Sequence, residues 1–575
     1  MSRGESKVLV LGDGNRSFLA VIRSLGRRGV RVHVGWCSPD TPAARSRYVR
    51  AVHRIPPYGA HGAWKSELTG LMTEEQYELV IPCNDQSLLP LQAHRKELEA
   101  HGRLYLLGER AFEIAIDKVR TAALAASLGL PLPPAVVLRA PAPAEEVLAA
   151  LSLPVVVKPA TSFALSNLRE KSKVQIARTR EGLERALEML LPRGEVLVQD
   201  YFSGHGVGVE ALADAGEVLL AFQHERLHEP PTGGGSTYRR SVPLDPELLR
   251  ATRRLVEATD YTGVLMVEFR VNAQTGEWIL VELNPRFWGS LPLAVAAGAD
   301  FPYYLYRLLV EGKRRFPGAY RTGLYCRNLT KDLGWLVRAL REESRSLWGS
   351  VRLLGRTFGE MVINTLRLRE RSDTFTFDDP MPGVLEVAQL ARRAMRVASG
   401  RARSGWCSVP PARTLQTRKV RQALRNSRSV LFVCKGNICR SPFAEHYARR
   451  HLPGGARFAS TGYYPVPERR CPPAAVEAAA DLGVDLSGHR SSVIEAPLAR
   501  EHDLVLTFDE ENRRTLLDRY PWLRGKVFHV GLLAADGPVT IADPFGGTVE
   551  DMRAAYRAIA RALDAYAGSV ESAAH

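Results

Sequence analysis

A chain of 575 residues with 45% hydrophobic and 24% charged side chains has the ordinary values of a soluble globular protein, and its length suits three or four domains. The seven cysteines (37, 83, 326, 407, 434, 439 and 471) are scattered, odd in number and outside any metal spacing, which argues against a disulfide scaffold and fits reduced thiols in a cytoplasmic protein. The apolar stretch around 291–310 is broken by Gly298, Asp300 and Pro302 and is not a membrane span, the start runs straight into a strand with no signal peptide, and the net charge of +16 is unevenly placed.

From the N-terminus, Val8-Leu9-Val10-Leu11-Gly12-Asp13-Gly14 reads as a buried strand ending in glycines, followed by a helix over 18–26 and a strand over 30–36. A dinucleotide site wants a third glycine and an acid closing the second strand. Gly35-Trp36-Cys37-Ser38 stands there instead, so NAD is not expected. Further β/α units through 79–85 and 104–108 make residues 1–112 an open parallel α/β domain.

Asp117-Lys118 then opens a helix, and Val155-Val156-Val157-Lys158-Pro159 is a strand presenting a lysine. Two later strands, one ending Val267-Glu268-Phe269-Arg270 and one running Leu280-Val281-Glu282-Leu283-Asn284-Pro285-Arg286, flank a turn at 272–276. Paired antiparallel, they put Glu268, Glu282 and Asn284 on one face, a hard oxygen-rich site suited to Mg²⁺ with nucleotide phosphates. Lys118 and Lys158 then offset phosphate charge from the other side, and phosphoryl transfer needs little more than that placement.

This arrangement, over about residues 1–325, resembles the ATP-grasp superfamily, in particular its carbamoyl-phosphate-synthase-like and carboxylate–amine ligase members. The resemblance implies a pre-ATP-grasp domain over 1–112 and an ATP-grasp α+β domain over 113–325. It implies that Lys118 and Lys158 contact nucleotide phosphates, that Glu268, Glu282 and Asn284 bind metal, and that Arg286 meets phosphate or an acyl phosphate. Gln199-Asp200-Tyr201-Phe202 matches the hinge whose backbone reads adenine. The activity implied is ATP- and Mg²⁺-dependent: a small-molecule carboxylate is activated as an acyl phosphate and captured by an amine or similar nucleophile. Two positions depart from the pattern. The loop 160–173 has no glycine where typical members fold a glycine-rich flap, and Gly204-His205-Gly206-Val207-Gly208 puts glycine where many relatives hold ribose with a carboxylate, the next acid being Glu210. These departures keep a second reading open, in which the front half is a non-ligating nucleotide or metabolite sensor or scaffold controlling the rear half. The glycine-rich run 230–237 is either a loop closing over the acceptor or triphosphate, or a plain hairpin turn. His224 and His228, flanking Arg226, read as surface or substrate-pocket residues rather than metal ligands.

Residues 326–428 read as a helical connector with a basic linker. Helix-like segments at 333–340 and 347–368 carry Trp335, Trp348, Leu353, Leu354, Phe358 and Ile363, a face packed on the preceding domain or an interfacial helix. A helix at 384–397 precedes a Pro-bearing linker at 400–427. Residues 331–428 hold 20 Lys or Arg against 9 Asp or Glu, and 401–428 hold eight basic residues and no acid. That balance fits a solvated linker, or attraction to an anionic membrane surface or acidic polymer; with no nucleic-acid motif, nucleic acid is not an expected partner.

The last segment carries the clearest chemistry. Ser429-Val430-Leu431-Phe432 leads into Val433-Cys434-Lys435-Gly436-Asn437-Ile438-Cys439-Arg440-Ser441-Pro442 and then a helix: strand, tight loop, helix N-terminus. Backbone N–H groups of such a loop suit a phosphate, Arg440 and the helix end favour a thiolate at Cys434, and a planar guanidinium matches two phosphate oxygens. Gly436 permits close backbone approach, Asn437 tolerates left-handed geometry, and Ser441 can hydrogen-bond the sulfur. The run C-x-G-N-x-C-R-S-P resembles the signature of the low-molecular-weight protein tyrosine phosphatases, and the likeness covers about 428–568. It implies that Cys434 attacks phosphorus, that Arg440 holds the equatorial oxygens, and that Asp543, in Ala542-Asp543-Pro544-Phe545, protonates the leaving oxygen. It also implies that Lys435, Gly436, Ile438 and Cys439 complete the phosphate loop, that His489 buttresses it, and that Cys439 is either a reversible disulfide partner of Cys434 or a passive packed thiol. Ile438 stands where phosphoarginine-selective relatives carry Thr, which implies a phosphotyrosine-like ester on a protein or metabolite. No cofactor is implied for this half. The expected fold class is therefore multidomain α/β and α+β, with a parallel α/β domain over 429–568, in a cytoplasmic protein that is soluble or peripheral to the membrane.

Overall fold

A computed structural model, describing residues 6–14, 16–59, 62–168, 170–230, 235–343, 347–452 and 455–571, places the apolar strand Lys7–Leu11 inside a four-stranded parallel sheet. Arg31–Gly35 and Leu79–Pro82 flank it, and Val49–His53 pairs on the outer side of Arg31–Gly35. Val8 and Val10 face one apolar cluster and Leu9 and Leu11 another. Burial on both faces is what a continuous aliphatic run requires of a parallel sheet.

Contacts divide the chain into two units, Met1–Leu390 and Ala391–His575. Behind the parallel sheet, the first unit builds a small antiparallel sheet in the order Ala135–Leu138, Val196–Asp200, Val155–Pro159, Gln175–Ala177, covered by the helix Arg180–Leu190. A seven-stranded sheet follows in the order Trp278–Asn284, Gly263–Val271, His205–Asp214, Glu217–His228, Tyr238–Val242, Tyr325–Arg327, Glu370–Ser372. Its last two strands correct the reading of 326 onward as a connector, since that segment continues the sheet. The chain beyond them is pinned to the front: Arg23 Nε donates to Asp379 Oδ2 at 2.9 Å and Arg27 Nη2 to Asp378 Oδ1 at 2.8 Å.

In the second unit a parallel sheet runs Arg457–Gly462, Ser429–Cys434, Leu504–Thr507, Val527–His529. The helices Arg440–His451 and Val549–Glu571 cover it, with Phe443 stacked on Tyr556 at 4.1 Å between ring centroids. The basic stretch expected as a linker is helical instead, in Met381–Ser408 and Pro410–Arg425. Val420 and Leu424 lie in the apolar core of this unit. Arg413 donates to the carbonyls of Ala534, Asp536 and Gly537, and Arg421 to those of Leu533 and Ala565. At Arg413 and Arg421 positive charge satisfies orphan carbonyls, so this part of the acid-free stretch is a docked helix and not a solvated linker.

Candidate active sites

The loop after Ser429–Cys434 folds around one sulfur. Asn437 N donates to Cys434 Sγ at 3.2 Å, and Ser441 Oγ stands 3.1 Å from the same sulfur. Asn437 adopts φ +52°, the left-handed turn that brings its amide inward. Its side chain ties the loop down, with Nδ2 donating to Ser441 Oγ at 3.0 Å and Ser460 Oγ at 2.9 Å, and Oδ1 accepting from Ser492 N at 2.8 Å. His489 Nε2 donates to the Asn437 carbonyl at 2.9 Å, and burial holds that ring below the ordinary histidine value. The ring is therefore a neutral donor bracing the loop from outside.

Arg440 begins the helix Arg440–His451 and is buried. Its Nη1 donates to Asp509 Oδ2 at 2.6 Å and to the Ile541 carbonyl at 2.9 Å, and its Nη2 lies 3.0 Å from Asp543 Oδ2. Arg440 Nε is buried with no hydrogen-bond partner among the described residues. Asp509 was not legible as a site residue; only its place at the end of the strand Leu504–Thr507, neighbour to the sulfur strand, hinted at it. Lys435 is exposed, 4.0 Å from Glu511, while Ile438 and Cys439 are buried. Gly436 presents its carbonyl to Arg469 Nη2 at 2.5 Å. Gly462, another residue not singled out in sequence, packs so tightly that a Cβ would meet Lys435 O at 2.8 Å. Cys434 and Cys439 are free thiols, and burial, then Cys434 itself, pushes the Cys439 thiol well up.

In the first unit, the strands Gly263–Val271 and Trp278–Asn284 put Glu268 directly opposite Glu282, and Met266 opposite Asn284. Asn284 Nδ2 donates to Glu282 Oε1 at 3.1 Å, and Lys118 Nζ approaches Glu282 to 4.0 Å. Burial raises the Glu268 carboxyl against the pull of Arg226, which ion-pairs with it. Burial acts on Glu282 too, but Lys118, the Asn284 hydrogen bond and Lys158 together hold it low. Two facing half-buried carboxylates with one amide oxygen are a donor set that fits Mg²⁺. Lys158, on Val155–Pro159, is buried, donates to the Val281 carbonyl at 3.4 Å, and is lowered to about 8, chiefly by that burial. Lys118 heads the helix Lys118–Ser127, capped by Asp117, and donates to Ser162 Oγ at 3.1 Å. Arg286 makes a forked pair with Asp85, Nε to Oδ1 at 3.0 Å and Nη2 to Oδ2 at 3.2 Å. Asp85 and Arg226 are the orienting partners that sequence did not assign; Asp85 follows the end of the strand Leu79–Pro82, where parallel sheets carry ligand-facing residues.

At the hinge, the amides of Asp200 and Tyr201 donate to the carbonyls of Pro134 and Pro154, at 3.0 and 3.1 Å. Those two backbone donors are engaged within the protein. Gln199 Oε1, in contrast, is buried without a partner among the described residues. A groove of about 700 Å³ beside Tyr201 and Phe202 is lined by Pro134 and Trp278 and touches neither lysine nor either glutamate. Glu210 is buried, accepts from Ser290 Oγ at 2.8 Å and lies 2.8 Å from His224. His224 and His228 are buried, not surface residues; His228 stacks on Trp335 at 3.6 Å. A Cβ on Gly208 would meet the His224 ring at 2.3 Å, which accounts for glycine there. Half of the glycine-rich run 230–237, residues 231–234, lies outside the described residues.

One loop amide and one serine hydroxyl therefore converge on a buried cysteine at the end of a parallel strand, with a buried arginine heading the helix that follows. The family model described as Low molecular weight phosphotyrosine protein phosphatase matches residues 429–574, and that described as ATP-grasp in the biosynthetic pathway with Ter operon matches 193–332. The probable low molecular weight protein-tyrosine-phosphatase EpsP of Ralstonia nicotianae (strain ATCC BAA-1114 / GMI1000) is 34% identical over 139 residues, 24% of this chain and 93% of that protein. The low molecular weight protein-tyrosine-phosphatase Wzb of Escherichia coli (strain K12) is 32% identical over 144 residues, 25% of this chain and 96% of that one. Among solved structures, N5-carboxyaminoimidazole synthetase from Staphylococcus aureus complexed with ADP is similar at 16% identity and a TM-score of 0.46, covering 59% of this chain and 86% of that one. The YwlE arginine phosphatase from Geobacillus stearothermophilus is similar at 27% identity and a TM-score of 0.24, covering 25% and 94%. Through its C-terminal unit the chain belongs to the low-molecular-weight protein tyrosine phosphatase family, and it carries that unit fused to an ATP-grasp domain.

Proposed function

We propose a bifunctional enzyme whose rear unit hydrolyses phosphotyrosine-like monoesters through a phosphocysteine. The convergence of Asn437 N–H and Ser441 Oγ on the Cys434 sulfur supports this most directly. Cys434 Sγ attacks phosphorus, forming the S–P bond as the ester P–O bond breaks, and Asp543 gives its proton to the departing oxygen. Water then attacks phosphorus, its proton passes to the Asp543 carboxylate, and the S–P bond breaks to release phosphate and the thiolate. Arg440, with its partnerless Nε, holds the equatorial oxygens; Asp509 and Ile541 O fix its plane. Loss of p-nitrophenyl phosphate turnover in Cys434→Ser is the expected result, and turnover that survives it would exclude the scheme.

For the front unit we infer an ATP-dependent ligase that activates a carboxylate as acyl phosphate for attack by an amine or similar nucleophile. Glu268, Glu282 and Asn284 would hold Mg²⁺, which when bound screens and orients nucleotide phosphates. Lys118 and Lys158 supply further positive charge, Gln199 accepts from the base, and Asp85 aims Arg286 at transferred phosphate. The test is ADP release that depends on added acid and amine, measured in the Cys434→Ser background and lost on Glu282→Ala. A second reading, a nucleotide or metabolite sensor controlling the phosphatase, is favoured by one observation. The glycine-free loop 160–173 already gives Lys118 a partner in Ser162. Nucleotide binding without substrate-dependent ADP release would select it.

A further inference from the structure

We propose that the outward face of the helix Leu347–Leu366 is a docking surface for an anionic lipid bilayer. Trp348, Val351, Leu354, Phe358, Val362 and Leu366 recur every three or four residues, which sets them on one side of the helix. That side faces away from the front unit: Trp348 is 82% exposed, Phe358 65% and Leu366 78%. Scattered exposed leucines are ordinary on a soluble protein, but an unbroken stripe led by tryptophan and phenylalanine marks an interaction surface. The expectation of a face packed on the preceding domain is thus reversed for this helix.

Charge selects the occupant. Arg352, Arg367 and Arg369 are exposed on and just beyond the helix, with no carboxylate partner among the described residues. Two nearby acids are committed elsewhere, Glu360 to Arg356 at 3.1 Å and Glu370 to Arg327 at 2.8 Å. The surface is therefore both apolar and cationic. A second copy of this chain would set the same arginines against one another, and an acidic soluble polymer would leave the aromatic stripe in water. An anionic membrane interface covers both, taking the apolar side chains below the headgroups and the guanidiniums among them. No described helix is long and apolar enough to cross a membrane, so this one lies along it.

The test is cosedimentation of the full chain with vesicles of phosphatidylglycerol mixed with phosphatidylcholine, set beside vesicles of phosphatidylcholine alone. Binding to the anionic vesicles, weakened by salt, is expected. Trp348→Ser with Phe358→Ser and Leu366→Ser should lower it at least about tenfold, and Arg352→Gln with Arg367→Gln and Arg369→Gln should do the same. Thermal unfolding and p-nitrophenyl phosphate turnover unchanged in both variants show that the fold is intact. Equal binding to both vesicle types, or anionic binding untouched by the apolar variant, would overturn the proposal. So would absence of binding to the anionic vesicles, and concentration-dependent self-association that the apolar variant abolishes would assign the face to a second copy instead.

Discussion

Arg440 Nη2 lies 3.0 Å from Asp543 Oδ2, joining the first residue of the helix Arg440–His451 to a loop more than a hundred positions downstream. The cation proposed to hold phosphate and the carboxyl proposed to donate the leaving proton thus sit side by side at one loop. Proton donation matters in proportion to how poor the leaving oxygen is. Asp543→Asn should slow phenyl phosphate hydrolysis by about a hundredfold or more and slow an activated aryl phosphate far less. Equal slowing of both, read from kcat, would remove Asp543 from the role of acid.

Asn437 should be the least replaceable side chain of the phosphate loop after Cys434 itself. It is fully buried, holds φ +52° and bonds Ser441, Ser460 and Ser492 at once. Asn437→Ala strips three partners and leaves a Cβ residue in a left-handed turn. At about 1 kcal/mol per lost bond, the cost should reach about 3 kcal/mol. Chemical denaturation of the rear unit reads it, and a variant as stable as the parent would contradict the hub. Asn437→Gly, which removes the backbone strain, should recover part of the stability and little of kcat.

What sequence displayed was contiguous chemistry. Cys434 through Pro442 is one loop, and Glu268 faces Glu282 because a short hairpin joins their strands. The pairings that orient these groups were not legible because each partner arrives from elsewhere in the chain: Asp509 on Arg440, Asp85 on Arg286, Arg226 on Glu268. The stretch 400–427 misled for a different reason. Arginine without acid resembles a solvated linker, and only tertiary structure reveals that Arg413 and Arg421 are spent on carbonyls. At 347–366 helical spacing was legible, but periodicity cannot say whether an apolar face meets protein or something outside it.

Lys158, proposed to contact nucleotide phosphate, should make the front unit's nucleotide affinity a function of pH. Burial, followed by the neighbouring Lys118 and opposed by Glu282, brings its ammonium down to about 8. Below that pH Lys158 is charged and attracts phosphate; as pH rises through it the charge is lost and affinity should fall, by about tenfold for each unit of pKa by which bound phosphate raises the lysine. Titration of ADP binding from neutral to mildly alkaline pH reads this slope. Lys158→Met should bind weakly at neutral pH and lose the slope, and Lys158→Arg should bind without the alkaline decline. A slope that persists in Lys158→Met would assign the titration to another group.

The helix Pro410–Arg425 belongs to the phosphatase fold although it precedes the first strand of the sheet. Val420 and Leu424 are buried in the same apolar cluster as Phe443 and Tyr556. Arg413 and Arg421 satisfy carbonyls at 533, 534, 536, 537 and 565 that its removal would bare. Losing two buried aliphatic side chains at about 1.5–3 kcal/mol each, with several charge-assisted hydrogen bonds, should cost at least about 3 kcal/mol. A fragment beginning at Ser429 should then melt well below one beginning at Val409, while retaining kcat on p-nitrophenyl phosphate at temperatures where it stays folded, because no residue of the helix touches the sulfur loop's hydrogen-bond network. Equal melting temperatures for the two fragments would return this helix to the status of a linker.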